Sequence, residues 1–163
     1  MQKKLDTTAT VFLAGIAGGT VEVVWVILFC LISPLQSSLI AAEIVRSFLP
    51  QIAGLSAVTA GLIIHFILSV LITGAVAMTL LRTLANRTDM LAVLAVSAAA
   101  LAAIWVTNFF VILPLVNPDF VTLMPYTVTL VSKLAFGIAM GWVFVVRAAT
   151  TTGCANDPRF APR

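Results

Sequence analysis

Glu22, His65, Asn108 and Lys133 are the side chains of this sequence whose types could do chemistry in an apolar setting. Each lies within a long hydrophobic run. A carboxylate, an imidazole, an amide and an ammonium brought together could relay a proton, pass an ion or hold a charged ligand. A charge in hydrocarbon costs about 3 kcal/mol or more, so it is expected to face a partner or a cavity. Glu22 and Lys133 have opposite charges and sit on different segments, so the sequence proposes its own long-range contact. One reading is a structural ion pair that fixes helix register. The other is part of a proton, ion or ligand site. Lys133 could instead snorkel outward along its aliphatic stem.

His65 is the only histidine of the chain. A bis-His haem would need a second copy or a partner chain. Copper or zinc would need more nitrogen or sulfur ligands than His65, Glu22 and a distant Cys30 supply. The expectation is no cofactor and no metal, with His65 a core histidine bonded to Ser69 or Asn108. No catalytic constellation emerges either. Asp6, Asp89, Asp119 and Asp157 fall in loops or tails, and no glycine-rich phosphate loop precedes a Lys-Ser/Thr pair. The chain reads as a non-enzyme.

The elements that must position these groups are membrane spans. The chain has 163 residues, of which 61% are hydrophobic and 9% charged. A soluble domain carries about 25% charged residues, too many for this composition. Four apolar runs are expected to be helices of membrane-spanning length: about 8–32, 51–81, 90–113 and 126–146. Ser33-Pro34 ends the first, Pro50 precedes the second, and the third is expected to stop before Pro114. Between the first two spans, residues 35–49 place Leu39, Ile40, Ile44, Val45 and Phe48 at helical spacing. Gln36, Ser37, Glu43, Arg46 and Ser47 lie between them. That pattern predicts a short interfacial helix with Glu43 on its polar side. Pro114 to Pro125 is expected to form a rigid, non-helical lid, and residues 147–163 a polar tail. The first run is too long for a signal peptide and contains Glu22, so it is expected to be retained.

Basic residues set the topology. With the N-terminus on one side, Lys3, Lys4, Arg82, Arg87, Arg147, Arg159 and Arg163 share that side, against Arg46 alone on the other. The positive-inside rule makes the richer side cytoplasmic, with both termini inside. The basic residues flank spans and form no stripe, so nucleic acid is not an expected partner despite a net charge of +3. Cys30 and Cys154 fall near opposite sides and are not expected to pair.

Depth and face converge on one region. From the helical rise, Glu22 lies about 21 Å from the basic end of its span, Lys133 about 20 Å, His65 about 24 Å and Asn108 about 27 Å. Gly15, Gly18 or Gly19, Glu22 and Trp25 share one stripe of the first span. Gly61, His65, Ser69 and Thr73 share one on the second, and Ser97, Leu101, Trp105 and Asn108 one on the third. On the fourth, Lys133, Gly137 and Gly141 are each four apart. Gly15, Gly19, Gly61, Gly137 and Gly141 are the expected helix-packing positions, since small residues let backbones approach. The fold expected is all-α: an integral membrane four-helix bundle over residues 1–146 with an interfacial amphipathic helix between spans one and two.

The stretches Ala14–Thr20, Gly61–Gly74 (GLIIHFILSVLITG) and Ser132–Trp142 (SKLAFGIAMGW) give the chain a pattern that resembles small four-span bacterial inner-membrane proteins of unknown function. These share a glycine-rich first helix, a His-Phe in the second and a small-residue repeat in the fourth. Glu22 and Lys133 depart from that pattern. The resemblance implies an inner-membrane location and carries no activity. Two functions fit the residues. One is an accessory or structural subunit of a larger inner-membrane complex, respiratory or otherwise energy-transducing, with the bilayer and other membrane subunits as partners. The other is a small oligomeric transporter, channel or proton conductor whose path is lined by Glu22, His65, Asn108 and Lys133.

Overall fold

Backbone polar groups in hydrocarbon have no water to bond, and a helix satisfies them within its own segment. The apolar runs of this chain take that solution. The computed structural model describes residues 7–47, 49, 51, 52, 54–83 and 89–155, with backbone alone at 54, 81–83 and 151–155. Lys3, Lys4, Asp6, Phe48, Pro50, Arg87, Asp157, Arg159 and Arg163 lie outside the described residues, as do the side chains of Arg82 and Cys154. The helices are α1 (Thr7–Leu31), α2 (Ser37–Arg46), α3 (Gly54–Thr83), α4 (Met90–Thr107), α5 (Leu113–Val116), α6 (Pro118–Leu123) and α7 (Tyr126–Ala155). A π-helical turn, Asn108–Ile112, joins α4 to α5, and no strand occurs among the described residues.

Four of these stretches are long and apolar enough to cross a membrane: Thr7–Leu31, Leu55–Leu80, Met90–Val116 and Tyr126–Thr150. The protein is an all-α, multi-pass membrane bundle. Helix α7 makes its closest seams with α1 and α4, and α1 packs on α3. Helices α3 and α4 touch only lightly, and α2 lies against α3. The main core draws Ala14 from α1, Val76 and Leu80 from α3, Leu101 from α4, and Phe136 and Met140 from α7. A second cluster, Trp105, Phe109 and Leu113 with Phe120 and Leu130, fills the end of the bundle that carries α5 and α6.

Local signals set the helix ends. Asp89 caps α4 by accepting the Ala92 N–H at 3.3 Å. Asn117 caps α6 by accepting the Phe120 N–H at 3.2 Å, with Pro118 in the first turn where its missing donor does no harm. The Pro125 carbonyl receives the Val128 and Thr129 N–H groups and starts α7.

The structure departs from the sequence reading in four places. The third span does not stop before Pro114. Proline cannot donate to the carbonyl four residues back, and its ring crowds that carbonyl. The π-turn widens the helix there, with the Leu113 N–H bonding the Asn108 carbonyl, and the span continues to Val116. The segment from Pro114 to Pro125 is not a non-helical lid, because α5 and α6 occupy most of it. The fourth helix runs past Val146 to Ala155, since Ala148 and Ala149 favour helix and the Thr150 hydroxyl bonds back to the Arg147 carbonyl at 2.9 Å. Finally, α2 does not turn Glu43 to water. Ile40, Ala41, Glu43 and Val45 are all buried, while Leu39 is exposed.

The α2–α3 contact explains Gly61. A Cβ at that position would run into the Ala41 carbonyl, a backbone atom that cannot move independently. Gly74 offers a contrast on the same helix, because its nearest neighbour would be Val11 Cγ1 at 3.8 Å. Gly61→Ala is expected to lower the thermal midpoint in detergent by several degrees, in line with the ~1–3 kcal/mol of overpacking. Gly74→Ala should leave it unchanged or raise it, since alanine favours helix over glycine by about 1 kcal/mol.

Candidate functional site

The glycines of α1 divide between two neighbours. Gly15 and Gly19 face α3, where a Cβ would lie 2.7 Å from Val70 Cα and 2.8 Å from Ser69 Oγ respectively. Gly18 faces α7, where a Cβ would meet the Phe136 ring. Glu22 lies one turn beyond Gly18 and therefore also faces α7. Lys133 Nζ reaches it at 2.6 Å from Oε1 and 2.8 Å from Oε2. The Ser132 hydroxyl lies 3.4 Å from Glu22 Oε1 and 2.7 Å from the Thr129 carbonyl. Its single hydrogen favours the shorter bond, which leaves the carboxylate the weaker share. The Lys133 ammonium stands 5.8 Å from the Phe136 ring centroid. The two side chains are only 16% and 11% exposed, so Coulomb attraction there is little screened. The sequence-proposed pair is thus a forked contact between α1 and α7.

Two indoles reinforce the same stretch of α7. Trp25 Nε1 donates to the Val128 carbonyl at 3.0 Å. Trp105 Nε1 donates to Thr129 Oγ1, also at 3.0 Å, and that hydroxyl donates onward to the Tyr126 carbonyl at 3.0 Å. The first two turns of α7 are therefore tethered from α1 on one side and from α4 on the other. Lower on α7, Gly137 would place a Cβ 2.8 Å from Ala98 Cα, and Gly141 one 3.0 Å from Ser97 Oγ. Gly137 and Gly141 thus form the α4 seam, whereas Lys133 on the same stripe reaches α1.

His65 joins a neighbouring contact. Its Nε2 lies 3.2 Å from the Gly19 carbonyl, an interaction that requires the hydrogen on that nitrogen. Ser69 does not bond the ring: its hydroxyl donates to the His65 backbone carbonyl at 2.8 Å. Asn108 is half-buried at the start of the π-turn and gives its carbonyl to Leu113. No contact links Asn108 to Glu22, His65 or Lys133 among the described residues. The polar interior also extends beyond these four residues. The Thr73 and Ser97 hydroxyls are fully buried without a hydrogen-bond partner.

The sequence reading missed a second polar cluster. Glu43 is 5% exposed and pairs with Arg46 at 2.6 Å. Asn117 Nδ2 donates to the Glu43 carbonyl at 3.3 Å, to Glu43 Oε2 at 3.4 Å and to Ser47 Oγ at 3.0 Å. One amide therefore caps α6 through its oxygen and clasps α2 through its nitrogen. The available signal was Asn117-Pro118, a cap followed by a first-turn proline.

Among the described residues no three His, Cys, Asp or Glu side chains converge as a metal site would require. An open apolar groove lies between α1 and α7, but its lining includes neither Glu22 nor Lys133. Comparison with known proteins gives no match to a family model, a curated protein or a solved structure.

Removing one partner of a buried pair leaves the other charge stranded. Lys133→Met is expected to cost about 3–5 kcal/mol, and the Glu22→Gln, Lys133→Met double change to recover most of it. A double-mutant cycle of unfolding in detergent measures this, and an additive result would show that the pair does not couple α1 to α7. At the second cluster, Asn117→Ala should cost about 1–3 kcal/mol and raise amide exchange in α2 and α6 together. Asp119→Ala, at an exposed position of α6, should stay within about 0.5 kcal/mol.

Proposed function

We propose that this protein is a non-catalytic, structural subunit that packs through its helix faces into a larger assembly of a bacterial inner membrane, of a respiratory or other energy-transducing kind. In this reading both termini are cytoplasmic, as the distribution of basic residues implies. The observation that carries it is the closure of the Glu22–Lys133 pair. The strongest candidate for a conducting or ligand-binding group is taken up in a forked contact flanked by Ser132 and Phe136. His65 is bonded to a backbone carbonyl, and Asn108 stands apart. A path through all four would need them contiguous. What remains is a rigid bundle with broad apolar faces, on which Leu55, Leu71, Leu91 and Leu115 are all exposed. Such faces suit lipid and other membrane helices alike.

Purification in mild detergent, with identification of the chains that come with the protein, tests this reading. A larger assembly of defined composition is the expected result. Recovery of a monodisperse homo-oligomer that carries ion flux in liposomes, lost on Glu22→Gln, Lys133→Met, would replace it with the conducting reading.

A further inference from the structure

Helix α2 sits deeper in the bundle than an amphipathic helix resting on a membrane surface would. The Ala41 carbonyl lies where a Cβ of Gly61 would stand, against the side of α3. Gly61 is about 9 Å along α3 from Leu55, where the apolar stretch of that helix begins. The neighbouring helices give the same depth. Gly19 of α1 meets Phe66 and Ser69 of α3, and the two helices run in opposite directions. Trp25 is therefore level with Gly61 to within about one turn, and Leu31 is level with Leu55. The Trp25 indole in turn fixes that level on α7, at the Val128 carbonyl. Four large hydrophobics stand at this end of the bundle: Leu31 and Ile32 at the end of α1, Leu55 at the start of α3 and Leu115 on α5. Each is at least 76% exposed, more than any other large hydrophobic among the described residues.

We infer that α2 is a re-entrant element immersed in the lipid leaflet at its end of the bundle, with acyl chains against its exposed Leu39 and up to the level of Leu31 and Leu55. Three observations name acyl chains as the occupant. The most exposed side chains are spread over three helices at one end, as a surrounding solvent leaves them and a single docked partner does not. They continue the lipid-facing surface of the spans without a polar break, since exposed Val24, Ile27 and Leu28 lead up α1 to Leu31. The thickness also fits. From Leu31 down to the level of Trp142, an exposed indole suited to the opposite interface, is about 30 Å, the depth of a hydrocarbon core. An edge drawn at Tyr126 instead would leave Leu31, Ile32 and Leu55 in water. The placement accounts for Glu43 as well. At that depth its carboxylate has little water and takes Arg46 and Asn117 in its stead. The inference stands apart from the subunit proposal, because a lone bundle and an assembled one would both carry α2 at this depth.

Nitroxide labels read this depth directly. On a Cys30→Ala, Cys154→Ala background, a label is attached in turn at Leu39→Cys, Ile32→Cys and Leu55→Cys. Ile63→Cys, on the exposed face of the α3 span, serves as the hydrocarbon reference, and a free nitroxide in buffer as the aqueous one. Each protein is reconstituted at low density in vesicles of phosphatidylcholine and phosphatidylglycerol. Collision rates are then measured with oxygen, which concentrates in hydrocarbon, and with a nickel chelate, which stays in water. The oxygen-to-nickel ratio at Leu39→Cys and Leu55→Cys should shift from the aqueous value to near that of Ile63→Cys. All the labelled side chains point away from the bundle, so its packing is left intact, and each position is an independent reading. A ratio near the aqueous value at Leu39→Cys or Leu55→Cys would overturn the inference. Low collision with both reagents would do so too, because a second copy of the chain would then cover these faces in place of lipid.

Discussion

The low-dielectric setting of Glu22 and Lys133 is the constraint around which the bundle is arranged. A lone carboxylate or ammonium at that depth would be expensive, so α1 and α7 are committed to one rotation and one relative height. Once those are set, other contacts follow without further freedom. Gly18 must then take the Phe136 ring, and Trp25 comes level with the Val128 carbonyl. Further along α7, Gly137 and Gly141 receive Ser97 and Ala98 of α4. In water, hydrophobic burial would hold such helices together. In lipid the exterior is as apolar as the interior, so close backbone approach and a few polar contacts must supply the specificity. The pair adds little attraction beyond what it costs to desolvate, but it penalises every register in which the two charges do not meet.

That logic accounts for what could be read from the sequence. The four spans were legible because an apolar run of about 20 residues is the length that crosses a bilayer as a helix. The Glu22–Lys133 contact was legible because two opposite charges, isolated in hydrocarbon at matched depth, satisfy each other most cheaply by meeting. The glycines were legible as packing positions, but not which neighbour each served. Gly15 and Gly18 are three residues apart on one broad face, and only three-dimensional packing assigns one to Val70 and the other to Phe136. Helical spacing also could not separate Lys133 from Gly137, which meet different helices.

The errors share a physical cause. The sequence pattern puts Glu43 on the polar side of an interfacial helix because it is charged, and Pro114 at a helix end because it is proline. Both rules hold on average and both yield to tertiary context. Glu43 is buried because Arg46 lies one turn away and Asn117 is delivered to it from more than seventy positions further along the chain. Pro114 stays within a span because a single π-turn absorbs its ring and missing donor. Neither compensation has a local signature strong enough to outweigh the rule it breaks. Asn117-Pro118 came nearest, since it announces a helix start inside a segment otherwise read as irregular.

The clasp at Asn117 also answers a question that the bundle geometry raises. Three of its four sides are closed by intimate seams, but α3 and α4 meet only lightly. Toward the C-terminal end of α3 and the N-terminal end of α4, Val76 and Leu80 share a core with Val93 and Val96, so the two helices are joined there by packing. At the other end the connection is indirect. The link runs instead from α3 through the Gly61–Ala41 backbone contact into α2, and from α2 through Glu43 and Ser47 to Asn117, which is continuous in sequence with α4. A side chain at Gly61 would hold α2 away from α3 and carry Glu43 out of reach of Asn117. Without Asn117, Glu43 would keep only Arg46, whose own side chain is 59% exposed. The open side of the bundle is therefore closed in series, and each link depends on the one before it.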